Sequence, residues 1–482
     1  MNTVQRIAKN MMVLFLARIV SILFGFFYVM YTARYLGPAN YGILSFALAL
    51  NGIFRVITNF GLDPLTVREV ARDKSLARRY LANGIVLKLI FGTLTFLIVA
   101  LVVNFLRYPG LTRRVVYIIT FSTIVTGINN LFNDIYQAFE RMEFISIGQI
   151  LQSVLSLVFA IVAIKLGMDV LYFAMIYLIA NLITLGYHIV IMTWKFLKPK
   201  IEIDLRFWKS VVKEAWQFAL MTIFVSIYYW MDSVMLSYMK GDKVVGWYSA
   251  AYNVILLVLV ISQIYFTAIF PNLSRHYKNT QTFNYIYYKS LIYMAFIAFP
   301  LGILTTLLSE KIILAIYKEA YLPASLALKV LIWADVCIFI SLNFGYVFNA
   351  LNRQDIATKA TGIGALVNVV LNLILIPKYS LVGAAVATVI TEFIVLIVEG
   401  AVIVRYIPFD PVIGDILKIV FVNLASFAIL ELVIPEIKFP SPFLNIITVV
   451  VTYGAIYISL STLLKVLKGD DWRLIKKIIN YK

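Results

Sequence analysis

The chain has 482 residues, 62% of them apolar and only 14% charged, with a formal net charge of +18. So few charges cannot cover a soluble fold of this size, where about 25% is usual, and an aromatic content of 15% excludes a disordered chain. The apolar runs are long and continuous, unlike the alternating strands of a transmembrane barrel, which leaves a polytopic helical membrane protein.

A spanning helix needs about 20 apolar residues. Runs of that size, bounded by charges, Pro and Gly, fall near 10–35, 41–62, 81–106, 114–138, 144–165, 170–194, 214–239, 246–270, 286–308, 325–350, 357–376, 381–404, 412–434 and 442–465. These are about fourteen candidate helices. The first run is too long for the apolar region of a cleavable signal. The connections are too short for a folded soluble domain, the longest being residues 195–213.

The surplus of cations falls on one set of loops. Arg68, Arg72, Lys74, Arg78 and Arg79 follow the second run, and Lys195, Lys198, Lys200, Arg206, Lys209 and Lys213 follow the sixth. Lys465, Lys468, Arg473, Lys476, Lys477 and Lys482 close the chain on the same side. The opposite loops are poorer, holding Arg107, Arg113, Arg114, Lys240 and Lys243 among a few others. The positive-inside rule then sets both termini in the cytoplasm. Segments 63–80 and 472–481 are amphipathic and cationic. They read either as surface-lying helices on an anionic leaflet or as solvated topology loops.

A short internal similarity links the second and eighth runs. Gly42-Ile43-Leu44-Ser45-Phe46-Ala47 and Gly246-Trp247-Tyr248-Ser249-Ala250-Ala251 share a G-x-x-S-x-A frame. Each opens the second helix of a six-helix block, as in transporters built from parallel repeats. Three blocks result: 1–200, a six-helix N-terminal lobe; 201–405, a six-helix C-terminal lobe; and 406–482, two further helices and a cytoplasmic tail.

Ionisable residues inside membrane helices are costly and are candidate functional groups. Arg18, Arg55 and Lys88 fall at one depth on the first three helices. Three cations in one layer suit a cavity for phosphate or pyrophosphate, since a guanidinium binds such oxygens bidentately. The competing reading is snorkelling or local ion pairing. Asp134, Asp232, Asp335, Glu392 and Glu399 are the deep acids. Pairing with the cations, carriage of a coupling H⁺ or Na⁺, and plain interhelical hydrogen bonding are all open to them. Asn59, Asn129, Asn130, Asn133, Gln149 and Gln152 add amides that join helices or line a polar lumen. One cysteine, Cys337, and two histidines, His188 and His276, exclude an intrachain disulfide, a Cys-based metal or iron–sulfur site and a His cluster.

Two motifs carry a family resemblance. Leu36-Gly37-Pro38-Ala39-Asn40-Tyr41-Gly42 with Asn59-Phe60-Gly61-Leu62-Asp63 resembles the opening of polysaccharide-biosynthesis flippases. Trp230-Met231-Asp232-Ser233-Val234-Met235-Leu236 followed by Val245-Gly246-Trp247-Tyr248 resembles the start of their second half. This family shares a superfamily with lipid II flippases and with multidrug and toxin exporters. The resemblance implies an all-α integral membrane fold of two pseudo-symmetric six-helix lobes plus two C-terminal helices, a cationic central cavity and alternating access. It implies a flippase moving a lipid-linked (pyrophosphate) oligosaccharide from the cytoplasmic to the outer leaflet of the cell membrane. Arg18, Arg55 and Lys88 are then the substrate-binding cations, and Asp232, Asp335 and Glu392 the coupling or ion-pairing acids. No resident cofactor or metal is expected, only a coupling ion. Partners are the lipid-linked oligosaccharide, membrane lipids and glycan-assembling glycosyltransferases, not nucleic acid. The alternative is a cation-coupled multidrug exporter of the same superfamily. An enzyme is disfavoured, because the chain lacks a DxD motif, a large loop and a supply of His.

Overall fold

The computed structural model describes residues 3–198, 202–408, 410–433 and 442–466. The amphipathic segment 472–481 lies outside the described residues. In chain order the helices are α1 (Thr3–Asn59), α2 (Leu62–Arg72), α3 (Ala77–Phe105), α4 (Gly110–Ala138), α5 (Met142–Lys165), α6 (Val170–Lys195) and α7 (Leu205–Lys240). They continue as α8 (Asp242–Arg275), α9 (Thr280–Tyr317), α10 (Ala324–Ala350), α11 (Gln354–Ile403), α12 (Asp410–Val433) and α13 (Pro442–Leu463). Among the described residues, 11 helices are long and apolar enough to cross a membrane. Their outward faces are apolar: Phe105 is 81% exposed and Leu432 82%. Side chains of that kind on the outside require lipid as solvent.

Two helices are far longer than a bilayer. α1 runs for 57 residues and α11 for 50, whereas about 20 suffice to span. Each contains a break that divides it into two expected spans. α1 turns at Gly37, where φ is 68°, just before Pro38. A left-handed φ is open to Gly without the Cβ penalty, and Pro then starts the next segment without needing an N–H donor. α11 turns at Ser380, where φ is 55°, shortly after Pro377. α7 covers the span expected at 214–239.

The chain forms two compact units, Met1–Gly246 and Trp247–Lys482. The expected boundary stood at residues 200/201. α7 packs on α1 and α2 within the first unit. In that unit α1 also lies against α3, α4, α5 and α6, and α4 is covered by α3, α5 and α6. In the second unit α9 packs on α10, α12 and α13, and α10 on α11. Tyr457 of α13 donates to the Phe296 carbonyl of α9 at 3.0 Å, and Tyr453 donates to Asn423 of α12 at 2.9 Å. The C-terminal pair α12–α13 is thus fastened to its unit by polar as well as apolar contacts.

The amphipathic segment 63–80 is divided among α2, a short 3-10 turn at Lys74–Leu76 and the first residues of α3. The apolar face of α2 does not lie on lipid. Leu62, Leu65 and Val70 are buried with Leu131, Ile135 and Ala215 in one cluster from α2, α4 and α7. Its cations point away: Arg68 bonds Glu69 and Glu214, each at 2.6 Å.

The start of α7 is held to α3 by one buried amide. Asn83 has 0% exposure and accepts from the Asp204 backbone N–H at 2.9 Å and the Trp208 indole at 2.8 Å. Asp204 caps α7 by accepting from the Phe207 N–H, and Arg79 donates to the same carboxylate while lying over the Phe207 ring. The Phe207 N–H, then the Arg79 guanidinium, hold the Asp204 carboxyl below its ordinary range. Asn83→Ala removes the partner of two half-buried donors, at a cost of about 1 kcal/mol or more. The expected result is a lower thermal midpoint in detergent; an unchanged midpoint would show that water replaces the amide.

Candidate functional site

Two cavities in the first unit hold the two predicted arginines. One, of about 510 Å³, is lined by Leu14, Arg18, Ser21, Ile22, Gln149, Gln152 and Ser153. The other, of about 240 Å³, takes in Asn51, Arg55, Ser122, Thr126, Gln152 and Asn181, with Tyr177 and Trp230 as aromatic walls. Gln152 lines both. Arg18 and Arg55 are both exposed at these surfaces. Among the described residues Arg55 forms no ion pair. Neither lining contains a carboxylate.

A lattice of amides fixes the polar wall. Asn181 of α6 donates to Ser122 at 3.0 Å and to the Tyr177 carbonyl at 2.9 Å. Its oxygen accepts from Gln152 at 3.1 Å and from Asn129 at 3.4 Å. Four polar side chains from α4, α5 and α6 are thereby held in one network. Such a network is well defined where its members are satisfied; within it the Asn129 oxygen is buried without a partner. Trp230 closes another side by lying directly on Gly52. A Cβ on Gly52 would stand 2.5 Å from the indole ring, so only glycine admits the aromatic wall there.

Lys88 departs from the expectation. It lines neither cavity and has 0% exposure. Its ammonium bonds Asp63 of α2 at 2.5 Å and Asn59 of α1 at 3.2 Å. Depth along a helix, which suggested the cavity, does not fix the direction in which a side chain points. The local ion pair is the reading the structure supports.

The predicted acids divide between the units. Asp232 is buried in the first. In the second, Asp335 of α10 is 1% exposed, and neither of its carboxylate oxygens has a hydrogen-bond partner. Glu392 of α11 is close enough to interact with it electrostatically, and Glu399 in turn with Glu392. Asn51, Ser122, Asn181 and Trp230 line the site without being among the sequence-predicted site residues, although Trp230 opens one of the two family motifs. Their signal was a polar or amphipathic side chain near the middle of an apolar run, the same signal that marked Gln149 and Gln152.

The sequence pattern of the polysaccharide biosynthesis protein family matches residues 7–277, and that of MatE matches residues 218–374. Agl15 of Haloferax volcanii, described as a probable low-salt glycan biosynthesis flippase, is 24% identical over 385 residues, covering 79% of this chain and 80% of Agl15. The capsular polysaccharide biosynthesis protein CapF of Staphylococcus aureus is 24% identical over 404 residues, covering 81% and 97%. The lipid II flippase MurJ, in an inward closed conformation, superposes with a TM-score of 0.78 at 16% identity, covering 94% of this chain and 98% of that one. An inward-facing multidrug resistance MATE family transporter gives 0.67 at 15% identity, covering 80% and 95%. At these identities the structural likeness is one of fold. With more than half of its length matched, the chain, an all-α multi-pass membrane protein, belongs to the polysaccharide biosynthesis protein family.

Proposed function

We propose that this protein is a flippase that carries a lipid-linked pyrophosphate oligosaccharide from the cytoplasmic to the outer leaflet of the cell membrane by alternating access. The observation that carries this reading is the pair of adjoining cavities in the first unit. Each presents one arginine among neutral hydrogen-bonding groups. Guanidinium groups suit the pyrophosphate, and amides, hydroxyls and the faces of Tyr177 and Trp230 suit sugars. Cavities of a few hundred cubic ångströms fit a phosphate and the first sugar of the head rather than a whole glycan. The names of the related flippases agree with this reading. Both termini lie in the cytoplasm in this proposal, where glycan-assembling glycosyltransferases supply the substrate. Coupling to H⁺ or Na⁺ would fall to Asp232, Asp335 and Glu392.

The second reading, a cation-coupled drug exporter, draws on the MatE match. Cavities in the first unit that are lined by arginine without carboxylates disfavour a cationic drug there. Mass spectrometry of lipids retained by the purified protein decides between them. A pyrophosphate-linked glycan bound to the wild-type chain, with that lipid accumulating on the inner leaflet of a deletion strain, is the expected result. Retention of no such lipid, with normal surface glycan in the deletion strain, would refute the proposal.

A further inference from the structure

Lys88 belongs to a buried ionic cluster separate from both cavities and from Asp232, Asp335 and Glu392. Asp63 opens α2, Lys88 lies in the first half of α3, and Asp134 lies in the last turns of α4. Asn59 at the end of α1 completes the group by accepting from Lys88. Gly127 of α4 lets the chains close on it. A Cβ there would stand 3.0 Å from the Thr58 methyl, a tight approach, and at ordinary contact distances of 3.4 Å and 3.9 Å from the Asn59 oxygen and the Lys88 Cδ.

The cluster has one cation and two carboxylates. Asp63 takes the ammonium at 2.5 Å. Asp134 is 8% exposed, its Oδ2 has no hydrogen-bond partner, and it is close enough to Asp63 and Lys88 to interact with both electrostatically. Other charges nearby are committed elsewhere. Arg68 and Arg72 of α2 pair with Glu69, and Arg68 also pairs with Glu214 of α7. Arg79 of α3 pairs with Asp204. His188 of α6 packs on Phe132 and Tyr136, on another side of α4. With both carboxylates ionised the buried group carries one uncompensated negative charge. Burying such a charge is strongly unfavourable, and the usual response is to take up a proton. Two carboxylates in one site cannot easily both ionise.

We infer that Asp63 and Asp134 share a single proton beside Lys88, forming a proton-binding site where α1, α2, α3 and α4 meet. Asp134 supplies the O–H and Asp63 accepts it, while Asp63 also accepts from the ammonium. The cluster is then neutral. Asp63, 25% exposed, is the member through which the proton enters and leaves.

The test uses the purified full-length chain in detergent. Its folded state holds a proton that the unfolded chain, with ordinary carboxylates, releases above mildly acidic pH. Stability therefore falls as pH rises, because the folded state binds more protons. The expected wild-type result is a thermal midpoint that declines from mildly acidic to alkaline pH. Asp134→Asn and Asp63→Asn each leave one acid facing Lys88, so both should flatten that decline. In infrared difference spectra both should also lose one deuterium-sensitive component of the protonated-carboxyl band. A wild-type midpoint that is flat or rises over this range would overturn the inference without recourse to variants. Variants that keep the full decline and the band would overturn it as well. If sodium chloride raises the wild-type midpoint over choline chloride at equal ionic strength, and Asp134→Asn abolishes this, the site binds a metal cation and the proton assignment fails.

Discussion

Arg18→Ala and Arg55→Ala should each reduce glycan export at matched membrane expression, and Lys at either position should restore little of it. Both side chains reach polar cavities that share Gln152. A snorkelling cation needs only charge and reach, so lysine would serve. A guanidinium that grips phosphate oxygens with two parallel N–H bonds is not replaced by an ammonium, which is a point charge. Losing one charge-assisted hydrogen bond costs about 1.5–3 kcal/mol, or roughly 10- to 150-fold in binding. Arg55 is the sharper test, since no carboxylate among the described residues takes up its charge. The measurement is complementation of surface glycan in a deletion strain, with Ala and Lys variants beside wild type. Lys88→Ala serves as a contrast. It should fail through lost folded protein, because it strands the Asp63 carboxylate beside the buried Asp134, and breaking a buried pair costs about 3–5 kcal/mol. Full export by both Ala variants would remove the arginines from the substrate site.

The contrast between Arg55 and Lys88 marks what a linear sequence carries. Apolar run length fixed the spans, because a bilayer imposes length on every helix that crosses it. The Gly37-Pro38 and Pro377 signals separated runs that the chain joins into α1 and α11. Depth was equally legible, and it placed Arg18, Arg55 and Lys88 in one layer. Direction was not. In a membrane protein the lipid-facing and protein-facing sides of a helix are both apolar, so hydropathy does not tell one from the other. For the same reason the apolar stripe of α2 suggested a surface helix. It is instead buried on α4 and α7. Asp63, which decides the fate of Lys88, sits on that helix, and no periodicity in α3 points to it.

The G-x-x-S-x-A similarity has a physical explanation within the first unit, and it yields the largest stability effect. A Cβ on Gly42 would fall 1.7 Å from the Asp242 carbonyl oxygen and 2.9 Å from the Gly246 nitrogen. A Cβ on Gly246 would fall 2.0 Å from the Pro38 carbonyl oxygen. The two glycines that open the similar motifs thus lie at one backbone crossing, where the second segment of α1 meets the first turn of α8. Hydrogen bonds from Ser237 at 2.8 Å and Thr112 at 3.2 Å to the Asp242 carboxylate hold that turn in place. A flexible side chain could swing aside from an added methyl; a backbone carbonyl in a helix cannot. Gly42→Ala and Gly246→Ala should therefore exceed the usual overpacking cost of about 1–3 kcal/mol and sharply lower both membrane yield and thermal midpoint. Gly25→Ala is the internal control: its Cβ would meet nothing within 4 Å, and helix propensity favours Ala over Gly by about 1 kcal/mol. It should be neutral or stabilising. The three variants are compared by fluorescence-detected size-exclusion after heating in detergent. If Gly42→Ala and Gly246→Ala retain the midpoint of Gly25→Ala, the helices part there at little cost, and the shared glycines have no role in close packing.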